Sequence, residues 1–316
     1  MERNYNLLTE SIKERINPEN FDIKKSFSDE LGTVSYSQVL TYIRMAMKGV
    51  EPEYTQKSKD AGDRVKEHLS KELKNVNYRY QGSIMTDTHI RGYSDIDLLT
   101  ISDKFYSYDA PKIKQILESA DQRERYRQIF LDKMEREVNT SSYEGDALQD
   151  LRRLRLDNES ILVPIYDICE TTKAKSIKIK NQNLNREVDI VTANWYDDVT
   201  SVINDKGEYR GIQVYNKDTH TKGNADFPFL SIKRINDRSA HTNGRLKKMI
   251  RFLKNTKANS HQDIDLSSFD INAICYDIDV EEYQTLSFHE LVPVIHNQIN
   301  EISTYYFHTP CWIKFL

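Results

Sequence analysis

The chain has 316 residues, with 45 Lys and Arg against 49 Asp and Glu, a net charge of −4. That balance excludes a surface basic throughout, as a general nucleic-acid or membrane binder presents. Apolar residues at 38% and charged residues at 30% describe a polar globular chain, and 7 Pro with 10 Gly exclude a collagen-like one. Cys169, Cys275 and Cys311 stand far apart with no CxxC, which fits a reducing compartment better than a disulfide framework. No apolar run reaches the roughly 18 residues of a membrane span. The charged, amphipathic N-terminus lacks a signal-peptide core. A soluble cytoplasmic protein with no membrane partner is expected.

Residues 1–75 read as mostly helical. Val39, Leu40, Ile43 and Met47 recur at helical spacing, Pro52 suits the first turn of a helix, and Val65, Leu69 and Leu73 give that helix an apolar face. The period then changes to that of strands at 77–80 and 94–102. The stretch 111–137 is charged but periodic and reads as one or two surface helices. DALQDLRRLRL opens the next segment as a helix, and ILVPIYDIC fits strand or helix. Strands return at 176–179 and 187–193, and a hairpin is read across Asn204–Gly207 into 211–215. From Phe229 the chain is helical again, with Leu246, Met249, Ile250 and Leu253 on one face and further helices opening near Ser267 and Ser287.

The chemistry concentrates in YQGSIMTDTHIRGYSDIDLLTI, residues 80–101. Asp95 and Asp97 flank one apolar residue, so on a strand both carboxylates project from one face while Ile96 and Leu98 turn away. Two such carboxylates repel unless a cation intervenes, and oxygen ligands suit Mg²⁺ or Mn²⁺ with nucleotide phosphates completing the shell. Gly82 lets the backbone approach a ligand closely, and the Ser83 hydroxyl with the following N–H groups suits a phosphate. Asp189 sits inside the apolar run Val188-Asp189-Ile190-Val191, an expensive place for an acid without a partner. Each feature alone is more often a turn, a surface acid or a satisfied structural acid. Together they meet the demand of a two-metal phosphoryl transfer, and point to a nucleotidyltransferase.

Gly82-Ser83, Asp95-Ile96-Asp97 and Asp189 resemble the signature of the DNA polymerase β-like nucleotidyltransferases. QGS…T…DID, the later EVDIVTA and the serines near the C-terminal helices resemble the CD-NTases, the bacterial relatives of cyclic GMP-AMP synthase and DncV, over roughly residues 35–280. The resemblance implies that Lys254, and Ser268 fourteen positions later, hold the donor triphosphate. Read from the residues alone, the preferred reading is that Lys254 is a solvated charge and Ser268 a helix cap. Phe269 stands where some relatives place a base-stacking aromatic, or belongs to the core. Asp87 departs from the pattern, standing where many relatives have Gly. No His/Cys cluster resembles a zinc thumb, so obligatory activation by duplex DNA is not expected.

The expected fold is α+β and bilobal: a twisted mixed sheet lobe and a helical C-terminal lobe, bridged by a long N-terminal helix. Residues 1–220 would hold the first helices and the sheet, and 221–316 the helical lobe, in one two-lobed unit. Asp95, Asp97 and Asp189 would hold two Mg²⁺ or Mn²⁺ ions, Asp189 also accepting the proton of an attacking ribose hydroxyl. Gly82, Ser83, Lys254 and Ser268 would bind nucleoside triphosphates, ATP among them. The resemblance implies a cyclic di- or trinucleotide product and a role in antiphage signalling. Pyrophosphate would leave, and the enzyme would be either constitutively active or switched by a regulatory protein partner or another non-DNA signal. Two alternatives remain open: transfer of a nucleotide to RNA, protein or a small molecule, and a catalytically inactive nucleotide-binding scaffold.

Overall fold

A computed structural model of the chain describes residues 5–16, 38–90 and 96–306. The chain divides into two compact units, one drawn from residues 56–82 and 95–233, the other from 1–55, 83–94 and 234–316. The class is mixed α/β, as the sequence pattern requires.

The first unit is built on a seven-stranded sheet. Its strands are β1 (Val76–Gln81), β2 (Ile96–Tyr108), β3 (Cys169–Glu170), β4 (Ser176–Asn181), β5 (Arg186–Asp197), β6 (Gly211–Asn216) and β7 (Thr221–Asp226). They pair in the order β1-β2-β5-β4-β3, and β6 joins β5 and β7. Only β2 and β5 run parallel. These two central strands are apolar on both faces: Ile96, Leu98, Leu99, Ile101, Val188, Ile190 and Ala193 are all 0% exposed. That is the pattern of parallel strands covered on both sides.

Their register is secured from the helix Ala147–Leu162. Asn158, fully buried, donates through Nδ2 to Thr100 Oγ1 at 2.8 Å and Thr192 Oγ1 at 3.2 Å, and these threonines are themselves register partners. A slip of one residue would break that pair and send one strand's polar side chains to the opposite face.

Two local expectations are refined. Of the stretch 161–169, Ile161 and Leu162 end the helix and Cys169 opens β3, while 163–168 are neither, because Pro164 has no N–H with which to extend the helical ladder. Asn204–Gly207 is a turn, with Asp205, Lys206 and Gly207 at positive φ, and the strand expected after it is β6, antiparallel to β5. The connection is longer than a tight hairpin because a short helix, Val199–Ile203, capped by Asp198, precedes the turn. A tight connection comes one step later, from β6 to β7, where Asn216 Oδ1 accepts from Asp218 N and Thr219 N.

The second unit is helical around one core. Ile12, Tyr42, Met45, Ala46, Leu246, Met249, Ile250, Ile271, Cys275, Leu291 and Ile295 meet in it. They come from the helices Tyr5–Ile16, Gln38–Met47, Arg245–Ala258, Ser268–Asp277 and Leu291–Tyr306. Leu246, Met249 and Ile250 are 0% exposed, so the apolar face read in the sequence is the packed one. Leu253, on the same stripe, is half-buried against that core. Among the described residues no helix is long and apolar enough to cross a membrane.

Candidate active site

Within the sheet unit, Asp97 and Asp189 are register partners on the parallel strands β2 and β5, so both carboxylates stand on one face at neighbouring positions. The same line continues to Gln81 on β1 and Lys178 on β4. Strand spacing sets such neighbours roughly 5 Å apart at the backbone. Asp189 is half-buried, with Lys173 Nζ at 3.9 Å from Oδ1, while Lys178 pairs with Glu187 at 2.6 Å. Asp95 lies outside the described residues. Among those described, no group of three metal-ligating side chains converges. The donor set present is two hard carboxylates side by side, which fits Mg²⁺ or Mn²⁺ and not a thiolate- or imidazole-seeking metal.

In the helical unit, Ser83, Lys254 and Ser268 line one pocket of about 500 Å³, together with Lys257, His261 and Asp263. Gly82, which closes the sheet unit's first segment, has a φ of 91°, a conformation that L side chains rarely adopt. The turn beyond it folds on Ser83: Thr88 N donates to Ser83 O at 3.0 Å and Thr86 Oγ1 to the same oxygen at 3.2 Å. Asp87 occupies the left-handed region at φ 51°, where glycine is unstrained and aspartate is tolerated.

Lys254 is not a solvated charge. It is 7% exposed, and burial pushes its pKa down to about 8. Ser268 is not the helix cap. Ser267 is, in a reciprocal capping box with Asp270: Asp270 N donates to Ser267 Oγ at 3.1 Å and Ser267 N to Asp270 Oδ2 at 2.6 Å. Ser268 is thus the first helical residue, where backbone N–H groups face outward without intrahelical partners and favour an anion. Phe269 is 42% exposed and does not belong to the core.

His89, one residue past the turn, carries no motif in the sequence and is 1% exposed in the fold. Its Nε2 lies 3.0 Å from Thr55 Oγ1, and its ring stacks on Tyr54. Burial, aided by Lys254 and Arg251 against the opposing Asp87, lowers its pKa to about 4. A histidine whose folded pKa is below its unfolded value contributes stability present above the unfolded pKa and lost as pH falls through the folded one. Wild type is expected to lose about 3 kcal/mol more than His89→Gln between pH 6.5 and 4. Urea unfolding of both proteins across that window checks this, and parallel profiles would refute it.

Comparison with known proteins supplies the family. The cGAS/DncV-like nucleotidyltransferase C-terminal helical domain matches residues 233–312. A c-di-GMP synthase of Capnocytophaga granulosa is 52% identical over 302 residues, covering 95% of this chain and 85% of the relative. The chain belongs to the CD-NTase family. A c-di-GMP synthase of a Lachnospiraceae bacterium is 47% identical, covering 81% of this chain and 74% of that one. The solved STING-associated CdnE c-di-GMP synthase of Flavobacteriaceae sp. superposes with a TM-score of 0.85 at 35% identity, covering 96% of this chain and 86% of that one. This CD-NTase is therefore a nucleotidyltransferase that joins nucleoside triphosphates into a cyclic oligonucleotide and releases pyrophosphate. Enzymes of this family are generally metal-dependent.

Proposed function

We propose that the chain makes cyclic di-GMP from two molecules of GTP, with Asp95, Asp97 and Asp189 as its metal carboxylates. The pocket of Ser83, Lys254 and Ser268 is its donor-triphosphate site. The pairing of Asp97 with Asp189 at one register position carries this reading, because phosphoryl transfer needs carboxylates held side by side. The guanine preference is supported by the names of the curated relatives.

Asp189 accepts the proton of the acceptor ribose hydroxyl, which then attacks the α-phosphorus of the donor. The bond from that phosphorus to the bridging oxygen breaks, and pyrophosphate leaves. A second transfer between the same two nucleotides closes the ring, so two GTP yield one cyclic dinucleotide and two pyrophosphates. Asp95, Asp97 and Asp189 would hold two Mg²⁺ or Mn²⁺ ions, which when bound would supply Lewis-acid polarisation of the phosphate and acidify the hydroxyl. Lys254 and Ser83 hold the triphosphate, and the outward N–H groups at Ser268 add the positive end of a helix.

The test is to incubate the purified chain with labelled triphosphates, singly and together, treat with phosphatase, and analyse by mass spectrometry. GTP alone should suffice for a phosphatase-resistant product of the mass of cyclic di-GMP. A product that requires ATP, or one that phosphatase degrades, overturns the reading.

The names of the relatives described as STING-associated support a signalling role for that product. Its place in cytoplasmic antiphage defence and a regulatory protein partner are part of the proposal. A net charge of −4 supports independence from duplex DNA. Product formation should change less than about twofold when duplex DNA is added at low salt. A large stimulation that collapses as salt rises would show a DNA-binding surface.

A further inference from the structure

Within the Ser83 turn the hydrogen bonds run among Ser83, Thr86 and Thr88, and Asn236 Nδ2 donates to Met85 O from outside it at 3.4 Å. A residue distant in sequence ties that turn to the helix carrying Lys254. Arg251, three positions before Lys254 and 7% exposed, donates through Nη1 to Asp87 O at 2.6 Å and through Nε to Met47 O at 2.8 Å. The same Nη1 stands 3.6 Å from Asp87 Oδ2. One turn on, Asn255 Nδ2 donates to Ala46 O at 2.9 Å, so the helix is pinned to the end of Gln38–Met47 at two adjacent points.

The guanidinium is a planar fork with donors in fixed directions, so the two carbonyls it engages are held at a set distance and angle. Burial disfavours its charge, and the Asp87 carboxylate opposes that effect. The turn is thus joined to the Lys254 helix through a buried charged side chain spanning 164 positions of sequence.

We propose that Arg251 is a positioning residue for triphosphate binding, fixing the Ser83 turn against the helix that carries Lys254 so that both close on one anion. Small errors in such placement are costly, because a phosphate contact depends on groups preset to its geometry. The proposal rests on the reading that this pocket holds the donor triphosphate. It departs from that reading in giving Arg251 no contact with the nucleotide.

The experiment measures binding of the α,β-methylene analogue of GTP with Mg²⁺ to the full chain by calorimetry, alongside the melting temperature. The variants are Ser83→Ala, Lys254→Ala, Arg251→Gln, Arg251→Lys and the double variant Ser83→Ala/Arg251→Gln. Arg251→Gln should weaken binding about tenfold in the wild-type background and only about twofold once Ser83 is gone, since groups acting as one unit are not additive. Arg251→Lys, which keeps the charge and loses the fork, should recover part of the loss. It replaces glutamine in the cycle if that variant fails to fold. Full additivity with Ser83→Ala, or unchanged affinity in a folded Arg251 variant while Ser83→Ala and Lys254→Ala are weakened, overturns the positioning role alone. Wild-type affinity in both Ser83→Ala and Lys254→Ala overturns the pocket reading and the positioning role together.

Discussion

Asp97→Asn combined with Asp189→Asn is expected to reduce cyclic dinucleotide formation by at least about a thousandfold while leaving the fold intact. The two side chains sit at one register position on parallel strands, and neither belongs to the apolar packing around them. Asparagine preserves their shape and removes both charges, so the loss falls on cation binding and proton acceptance. Removing like charges from adjacent positions also relieves repulsion, so the melting temperature without added metal should be equal or higher. Product formation near the wild-type rate by the folded double variant would refute the assignment of these carboxylates. Asp95→Asn with Asp97→Asn tests the tandem pair in the same way.

Lys254→Ala is expected to lower affinity for the triphosphate by about tenfold to a few hundredfold, a smaller effect than loss of the carboxylates. The ammonium is almost wholly buried, so its contact with phosphate is poorly screened by solvent. Its pKa near 8 in the free protein adds a pH signature. Bound phosphate favours the charged form and raises that pKa, so affinity is full below about pH 8 and declines as pH rises above it. In Lys254→Ala the decline should vanish, leaving a flat profile between pH 7.5 and 9.5. Calorimetric titrations of both proteins over that range decide the point. An unchanged affinity in the variant, or an equal slope in both, would remove Lys254 from the binding site.

Much of the site's composition is legible in the amino-acid sequence. Asp95-Ile96-Asp97 announces tandem acids on a strand, because alternation places them together whatever the fold does. Gly82-Ser83 announces a turn of unusual backbone, and φ at Gly82 has that character. Other features are open in the sequence. It permits Lys254 to be solvated and Ser268 to be a cap, since a basic amphipathic helix and a Ser-Ser pair have the same local pattern in either case. Burial of Lys254 depends on what the helix packs against, and the choice of Ser267 as cap depends on where Asp270 reaches back. The Asn204–Gly207 segment reads as a tight hairpin and is the turn of a longer connection between β5 and β6, because Asp198 caps a short helix, Val199–Ile203, ahead of it.

By itself the sequence determined the residue types, the strand carrying Asp97, the strand carrying Asp189 and the helix carrying Lys254. All of these follow from periodicities that act within a few residues. Only the tertiary structure decided that Asp97 and Asp189 share a register position, a matter of pairing between strands 92 positions apart, secured by Asn158 from a third element. It alone joined the 83–90 segment to the C-terminal helices, through Arg251 and the pocket that Ser83 shares with Lys254. A local pattern records which face of an element is apolar. It holds no record of which distant carbonyl a buried guanidinium will find, because that partner is chosen by packing and by the cost of leaving either group unsatisfied.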